Sequence, residues 1–80
     1  MGAATNAVQG LRETVALRVR VRRRLLGLNQ AQLAARMGGH RSAISLIEAG
    51  RRVPSAANLV RLSDALECSA DWLLGRGPLR

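Results

Sequence analysis

Apolar residues in the first third of the chain recur at helical spacing. Val8, Leu11, Val15, Val19 and Leu26 are separated by steps of three, four or seven, which sets them on one side of a helix. The stretch RVRVR (18–22) alternates with period two and reads locally as a strand. The longer helical pattern outweighs it, and the spacing predicts a helix from Ala7 to Leu26. Residues 1 to about 6 are small and polar and read as a loose tail. Gly10 weakens the first turns, so a start near Thr14 is a second reading. Leu17, Val21 and Leu25 form another stripe on a different side, as if this helix met both a core and a partner.

Four more helices follow, each with its own punctuation. Gly27 ends the first. LNQAQL (28–33) opens the second: Asn29 can cap, Gln32 completes a capping box, and Leu28 can staple onto Leu33. Leu33, Ala34 and Met37 give it one apolar face, and Gly38 stops it in the left-handed conformation. The third helix runs from about Arg41 to Ala49, with Gly50 as its stop. Ile44 and Ile47 point one way with Glu48 beside them. Ser42, Ser45, Leu46 and Ala49 point the other way, with Arg41 at the first turn. After the loop RRVP, Ser55 caps a fourth helix (Leu59, Val60, Leu62, Leu66), and Ser69 caps a short fifth (Trp72, Leu73, Leu74) that ends at Gly75. The tail GRGPLR cannot continue it. No segment reads as a confident strand, so the fold class is all-α.

Length makes this one domain at most, since 80 residues leave little room for a second core. The organisation predicted is residues 1–13 as a tail or an extension of the first helix, a domain over 14–75, and a C-terminal tail over 76–80. Cys68 is the only cysteine, so no internal disulfide forms, and a reducing intracellular setting is expected. One cysteine and one histidine cannot complete a tetrahedral zinc shell, so no metal or other cofactor is expected. Cys68 reads as a small core residue. There is no apolar run of membrane-spanning length. The start MGAATNAVQG lacks a secretory pattern, and Asn6 breaks the myristoylation pattern.

Charge changes the picture most. Lys and Arg total 13 against 5 Asp and Glu, for a net +8, and all 13 are arginine. Coding bias would account for arginine in place of lysine, but not for the excess. Guanidinium suits bidentate contacts with phosphate and guanine, and a basic small domain points first to nucleic acid, then to an anionic membrane surface.

Helix, glycine-containing turn, helix is the helix-turn-helix arrangement. The segments LGLNQAQLA (26–34 with Leu25 before it), ISLIEAGRRVPS (44–55), LVRLSDAL (59–66) and SADWLLG (69–75) occur in order at the right distances. Through them the chain strongly resembles the phage-repressor and Cro-like (Xre) family, from about Val15 to Gly75. The resemblance implies a compact five-helix lambda-repressor-like domain with its helix-turn-helix at about 30–49. It implies that the second helix braces on the sugar-phosphate backbone while the third enters the major groove. Two departures stand out: Gly39 where the family's turn is usually apolar, and His40 where the third helix usually opens on Ser or Thr.

The same resemblance assigns roles. Arg41, Ser42, Ser45 and Leu46 are expected to read bases, with Arg41 on guanine and Leu46 on a thymine methyl. Asn29, Gln30, His40, Arg51 and Arg52 are expected at phosphates, His40 having capping of the third helix as an alternative. Arg23 and Glu48 are expected to form a partly buried ion pair between the first and third helices. The Arg18, Arg20, Arg22 and Arg24 group must divide between DNA and solvent. Pairing into a homodimer commonly uses the C-terminal helices, here Asp64, Glu67, Asp71, Trp72 and Leu74, and the Leu17, Val21, Leu25 stripe competes.

The function implied is a sequence-specific transcriptional regulator of double-stranded DNA, a repressor binding a palindromic operator as a homodimer. It would act in the cytoplasm on the nucleoid, without a small-molecule ligand. The same fold serves as the antitoxin of a toxin–antitoxin pair, with a toxin as protein partner, or as a restriction-system controller. A protein-binding adaptor and a membrane-surface binder are the other readings. An enzyme is not expected, for the chain shows no triad, metal cluster or phosphate loop.

Overall fold

A computed structural model describes residues 3–80, with side chains from residue 7 onward. Five helices follow one another: α1 (Ala3–Leu25), α2 (Gln30–Met37), α3 (Arg41–Glu48), α4 (Ala56–Ala65) and α5 (Ala70–Leu73). The described residues contain no strand, and the chain is all-α as its spacing predicts. RVRVR lies inside α1, where Val19 is buried and Val21 exposed. The helix also begins earlier than expected: Ala3–Asn6 are helical rather than a loose tail, and Gly10 is accommodated within it. At a rise of about 1.5 Å per residue α1 is roughly 34 Å long. That nearly equals the longest dimension of the molecule, 38 Å.

The other four helices pack along this rod. Val15 and Val19 of α1 meet Leu33 and Ala34 of α2, Ile44 and Ile47 of α3, Leu62 and Ala65 of α4, the adjoining Leu66, and Leu73 of α5. Eight of these side chains are almost wholly inaccessible to water. Each contributes about 1.5–3 kcal/mol relative to exposure. That is large against a net stability of about 5–15 kcal/mol. Cys68 sits at the edge of this core, half-buried. No described helix is long and apolar enough to cross a membrane.

Short helices need defined ends, because a two-turn helix is unstable without them. The capping box at α2 is complete: the Gln32 amide donates to Asn29 Oδ1 at 2.7 Å, and the Asn29 amide donates to Gln32 Oε1 at 2.8 Å. Gly38, at φ 68°, closes α2. Ser55 and Ser69 accept from the amides of Asn58 and Trp72, as their positions predict. His40 makes no such bond, so its side chain does not cap α3. The end of α4 has no glycine: Glu67 takes the left-handed position at φ 57°. The C-terminal tail turns back onto α5, where Ser69 donates from its amide to Leu79 O and from its hydroxyl to Pro78 O, each at 2.6 Å.

Candidate nucleic-acid interface

A carboxylate inside the fold holds the helix-turn-helix in place. Glu48, at the last turn of α3, is buried, and its two oxygens face the guanidinium of Arg23 on α1. Arg23 donates through Nε to Oε2 at 2.6 Å and through Nη2 to Oε1 at 2.9 Å. Its remaining nitrogen donates to Leu28 O at 2.9 Å, in the connection to α2. This bond with Glu48 holds the Arg23 guanidinium above its ordinary pKa, with burial acting in the opposite sense. The Gln30 amide also donates to Glu48 Oε1, at 3.3 Å. Arg20 adds a bond to the Glu48 backbone carbonyl at 3.1 Å. One acid therefore gathers α1, α2 and α3. With both charges paired and the lone pairs used, the cost of burying them is offset.

That anchor leaves the outer side of α3 uncommitted. Arg41, Ser42 and Ser45 are exposed while Ile44 and Ile47 fill the core. Leu46 is half-buried rather than fully outward, so only part of its side chain faces solvent. Asn29, Gln30, Ala31 and Arg41 line one shallow cleft of about 400 Å³, with Arg23 at its base. The start of α2 and the start of α3 thus share a concavity. The first amide groups of a helix carry partial positive charge and lack intrahelical partners, so a phosphate is favoured there. A side-chain amide carries two hydrogens, and Gln30 keeps one beyond its bond to Glu48. His40, Arg51 and Arg52 are exposed, and no side-chain bond ties them to other described residues. Beneath the turn, an added Cβ at Gly39 would meet no atom within 4 Å. Gly39, Met37, His40, Ala43 and Ile44 border a gap of about 190 Å³ there.

Half of the arginines on α1 do something the sequence did not announce. Arg18 donates to Trp72 O at 2.9 Å and lies 4.8 Å from the centre of the Trp72 ring. Arg22 donates to Leu66 O at 2.9 and 3.1 Å and to Glu67 O at 3.1 Å. Arg36 of α2 donates to Ala65 O at 3.1 Å. With Arg20 on Glu48 O, cations close the C-terminal ends of α3, α4 and α5, where unpaired carbonyls and the helix dipole favour them. Of the group Arg18, Arg20, Arg22 and Arg24, only Arg24 is exposed without a bond among the described residues. No sequence signal marks these partners, because each lies 28 to 54 positions away along the chain for the three arginines of α1. Arg12 Nε is buried without a hydrogen-bond partner among the described residues.

The C-terminal candidates differ in exposure. Trp72 is half-buried beneath Arg18, and Leu74 packs against the core. Asp64, Glu67 and Asp71 are exposed, with Glu67 facing Arg36 and Arg80 at 3.6 Å each.

Known proteins share this architecture. The helix-turn-helix family model matches residues 19–73. Repressor protein C2 of Salmonella phage P22 is 44% identical over 57 residues, 71% of this chain and 26% of that protein. The cryptic phage CTXphi transcriptional repressor RstR of Vibrio cholerae is 39% identical over 54 residues, 68% of this chain and 48% of that protein. The chain thus spans half or less of the length of these two relatives. The crystal structure of the P22 c2 repressor in complex with a synthetic operator superposes with a TM-score of 0.73 at 42% identity, covering 75% of this chain and 91% of that one. A hypothetical transcription factor, NHTF, from Neisseria superposes with a TM-score of 0.78 at 31% identity, covering 84% and 77%. With its five helices, its braced turn and a match over most of its length, the chain belongs to the helix-turn-helix family of the Cro/C1 type.

Proposed function

We propose that this protein is a transcriptional repressor that binds a palindromic double-stranded operator as a homodimer, with α3 in the major groove. The observation that carries the reading is the free outer side of α3 beside the cleft at the start of α2. Arg41, Ser42 and Ser45 face outward there while Ile44 and Ile47 are turned into the core and Ala43 and Leu46 are half-buried. Arg41 bonds guanine O6 and N7, the two serines bond adjoining base edges, and the open part of Leu46 meets a thymine methyl. Asn29, Gln30, His40, Arg51 and Arg52 hold the flanking phosphates, which set register without reading sequence. An eight-residue helix is only about 12 Å long and spans few base pairs. Two copies on half-sites one helical turn apart supply the rest of the recognition. The relative solved with its operator supports this reading through its 42% identity. The site of action is the cytoplasm, on nucleoid DNA.

Selection of genomic fragments by the purified protein, followed by titration at several salt concentrations, tests it. A preferred palindrome should emerge above a background that weakens steeply with salt. Binding that depends on salt alone, with no preferred sequence, would reduce the protein to a general polycation.

A further inference from the structure

The homodimer proposed above needs a surface, and the uncovered apolar area lies on α1. Leu17, Val21 and Leu25 are 52%, 42% and 70% exposed. The other large apolar residues left open, Val8, Val60 and Leu79, stand on three separate parts of the chain. Single exposed apolar residues are ordinary, but three on successive turns of one helix make a stripe that calls for a cover. The C-terminal helices offer no equivalent, since Trp72 is already beneath Arg18 and Leu74 is on the core.

Charge indicates what the cover is. Glu13 and Arg24 are both exposed, and neither forms an ion pair among the described residues. Among the described residues, Glu13 accepts only from the Gln9 amide, at 3.3 Å. They lie eleven positions apart, close to three turns at 3.6 residues each, so they share the flank of the stripe. Their midpoint falls between residues 18 and 19, and the midpoint of Leu17 and Val21 falls at 19. An antiparallel copy crossing there sets Leu17 against the second copy's Val21 and Glu13 beside the second copy's Arg24, twice over. A parallel copy, related by an axis along the helices, would instead leave the two flanks on opposite sides of the seam, with Glu13 and Arg24 of the two copies out of reach. A two-fold axis across a helix generates the antiparallel arrangement, with the same patch used on both subunits.

We propose that α1 is the dimer interface: it pairs antiparallel with α1 of a second copy about residue 19, through Leu17, Val21 and Leu25, with Glu13 and Arg24 fixing the register. This deepens the homodimer part of the proposed function and rests on it. A single helix pair buries less than the roughly 1,200 Å² of a stable interface, so association is weak and concentration-dependent.

Sedimentation equilibrium of the full chain without DNA tests it, from micromolar to about 1 mM protein. The wild type shifts from monomer to dimer across that range. Val21→Glu weakens the dimer at least about tenfold, because a carboxylate is then buried at the seam. Circular dichroism checks that its helices are kept, and the milder Val21→Ala gives a second reading of the same position. Glu13→Arg and Arg24→Glu each weaken association, and the double variant Glu13→Arg, Arg24→Glu restores it. A wild type that stays monomeric at the top concentration overturns both the pairing and the homodimer. A dimer undiminished in Val21→Glu keeps the homodimer and overturns α1 as its interface. A double variant no better than either single one overturns the antiparallel register. Fragment selection is read separately, so loss of operator preference with the dimer intact faults the DNA reading alone.

Discussion

Two groups of arginines in this small protein have opposite fates. Along α1 and α2, Arg18, Arg20, Arg22, Arg23 and Arg36 donate into the fold, to backbone carbonyls at helix ends or to the buried Glu48. At and after α3, Arg41, Arg51 and Arg52 are exposed and donate to nothing among the described residues. The side chain is the same in both places. What differs is the nearest acceptor: helix C-termini converge on α1, whereas the outer side of α3 faces water. A net charge of +8 therefore overstates the charge free to meet phosphate. Guanidinium serves both uses because its planar donors match a carboxylate or paired carbonyls as readily as a phosphate.

The comparison breaks most sharply at Glu48. Glu48→Ala leaves Arg23 charged and buried, at a cost of about 3–5 kcal/mol. At about 4–8 °C per kcal/mol the melting midpoint should fall by more than 10 °C, if the variant folds at all. A thermal melt within two degrees of the parent would remove the pair from its proposed role. Arg22→Ala should come next, since hydrogen bonds to a charged group are worth about 1.5–3 kcal/mol. Its melting point should drop while the salt dependence of DNA binding stays unchanged. Arg52→Ala should do the reverse, leaving the melt alone and lowering the salt slope by about 1. If both variants behaved alike, the division between the two groups would be lost.

Within the outward group, Arg41→Ala should cost about 1–3 kcal/mol on the preferred base and little on others. Selection of randomised operators would show the relaxed position, and uniform loss would make Arg41 a phosphate clamp. A smaller effect of opposite sign is expected at Gly39. Its backbone is outside the left-handed region and its surroundings are open. Gly39→Ala should therefore stabilise by about 0.4–1 kcal/mol through the unfolded chain, measured by urea denaturation. The least effect concerns Cys68, whose thiol is pushed up by burial, against the smaller opposing pull of Arg22 and Arg80. Its alkylation rate should rise with pH only beyond the range where a free cysteine reacts, and a normal profile would mean an open thiol.

The helices were largely legible because their punctuation is local. Asn29 with Gln32, Gly38, Ser55 and Ser69 each act within four residues, so spacing alone locates them. Ile44 and Ile47 announce the inner side of α3 by their step of three, and the structure buries both. Arg23 with Glu48 came from a likeness to relatives, and the bidentate pair is present. Less was legible at the edges. Capping by His40 failed, because its side chain makes no bond to the α3 amides. Leu46 is more covered than its position on the wheel implied. The end of α4 at Glu67 has no glycine to mark it; there Arg22, remote in sequence, binds the last carbonyls.

Periodicity, caps and turn residues act over three or four positions, so the order of residues alone settled the number of helices, most of their ends and most of their inward positions. The destination of a long charged side chain depends on which carbonyl or carboxylate arrives beside it when distant helices pack. Only the tertiary structure could therefore separate the arginines that close the fold from those left to bind, and leave the outer stripe of α1 without a cover.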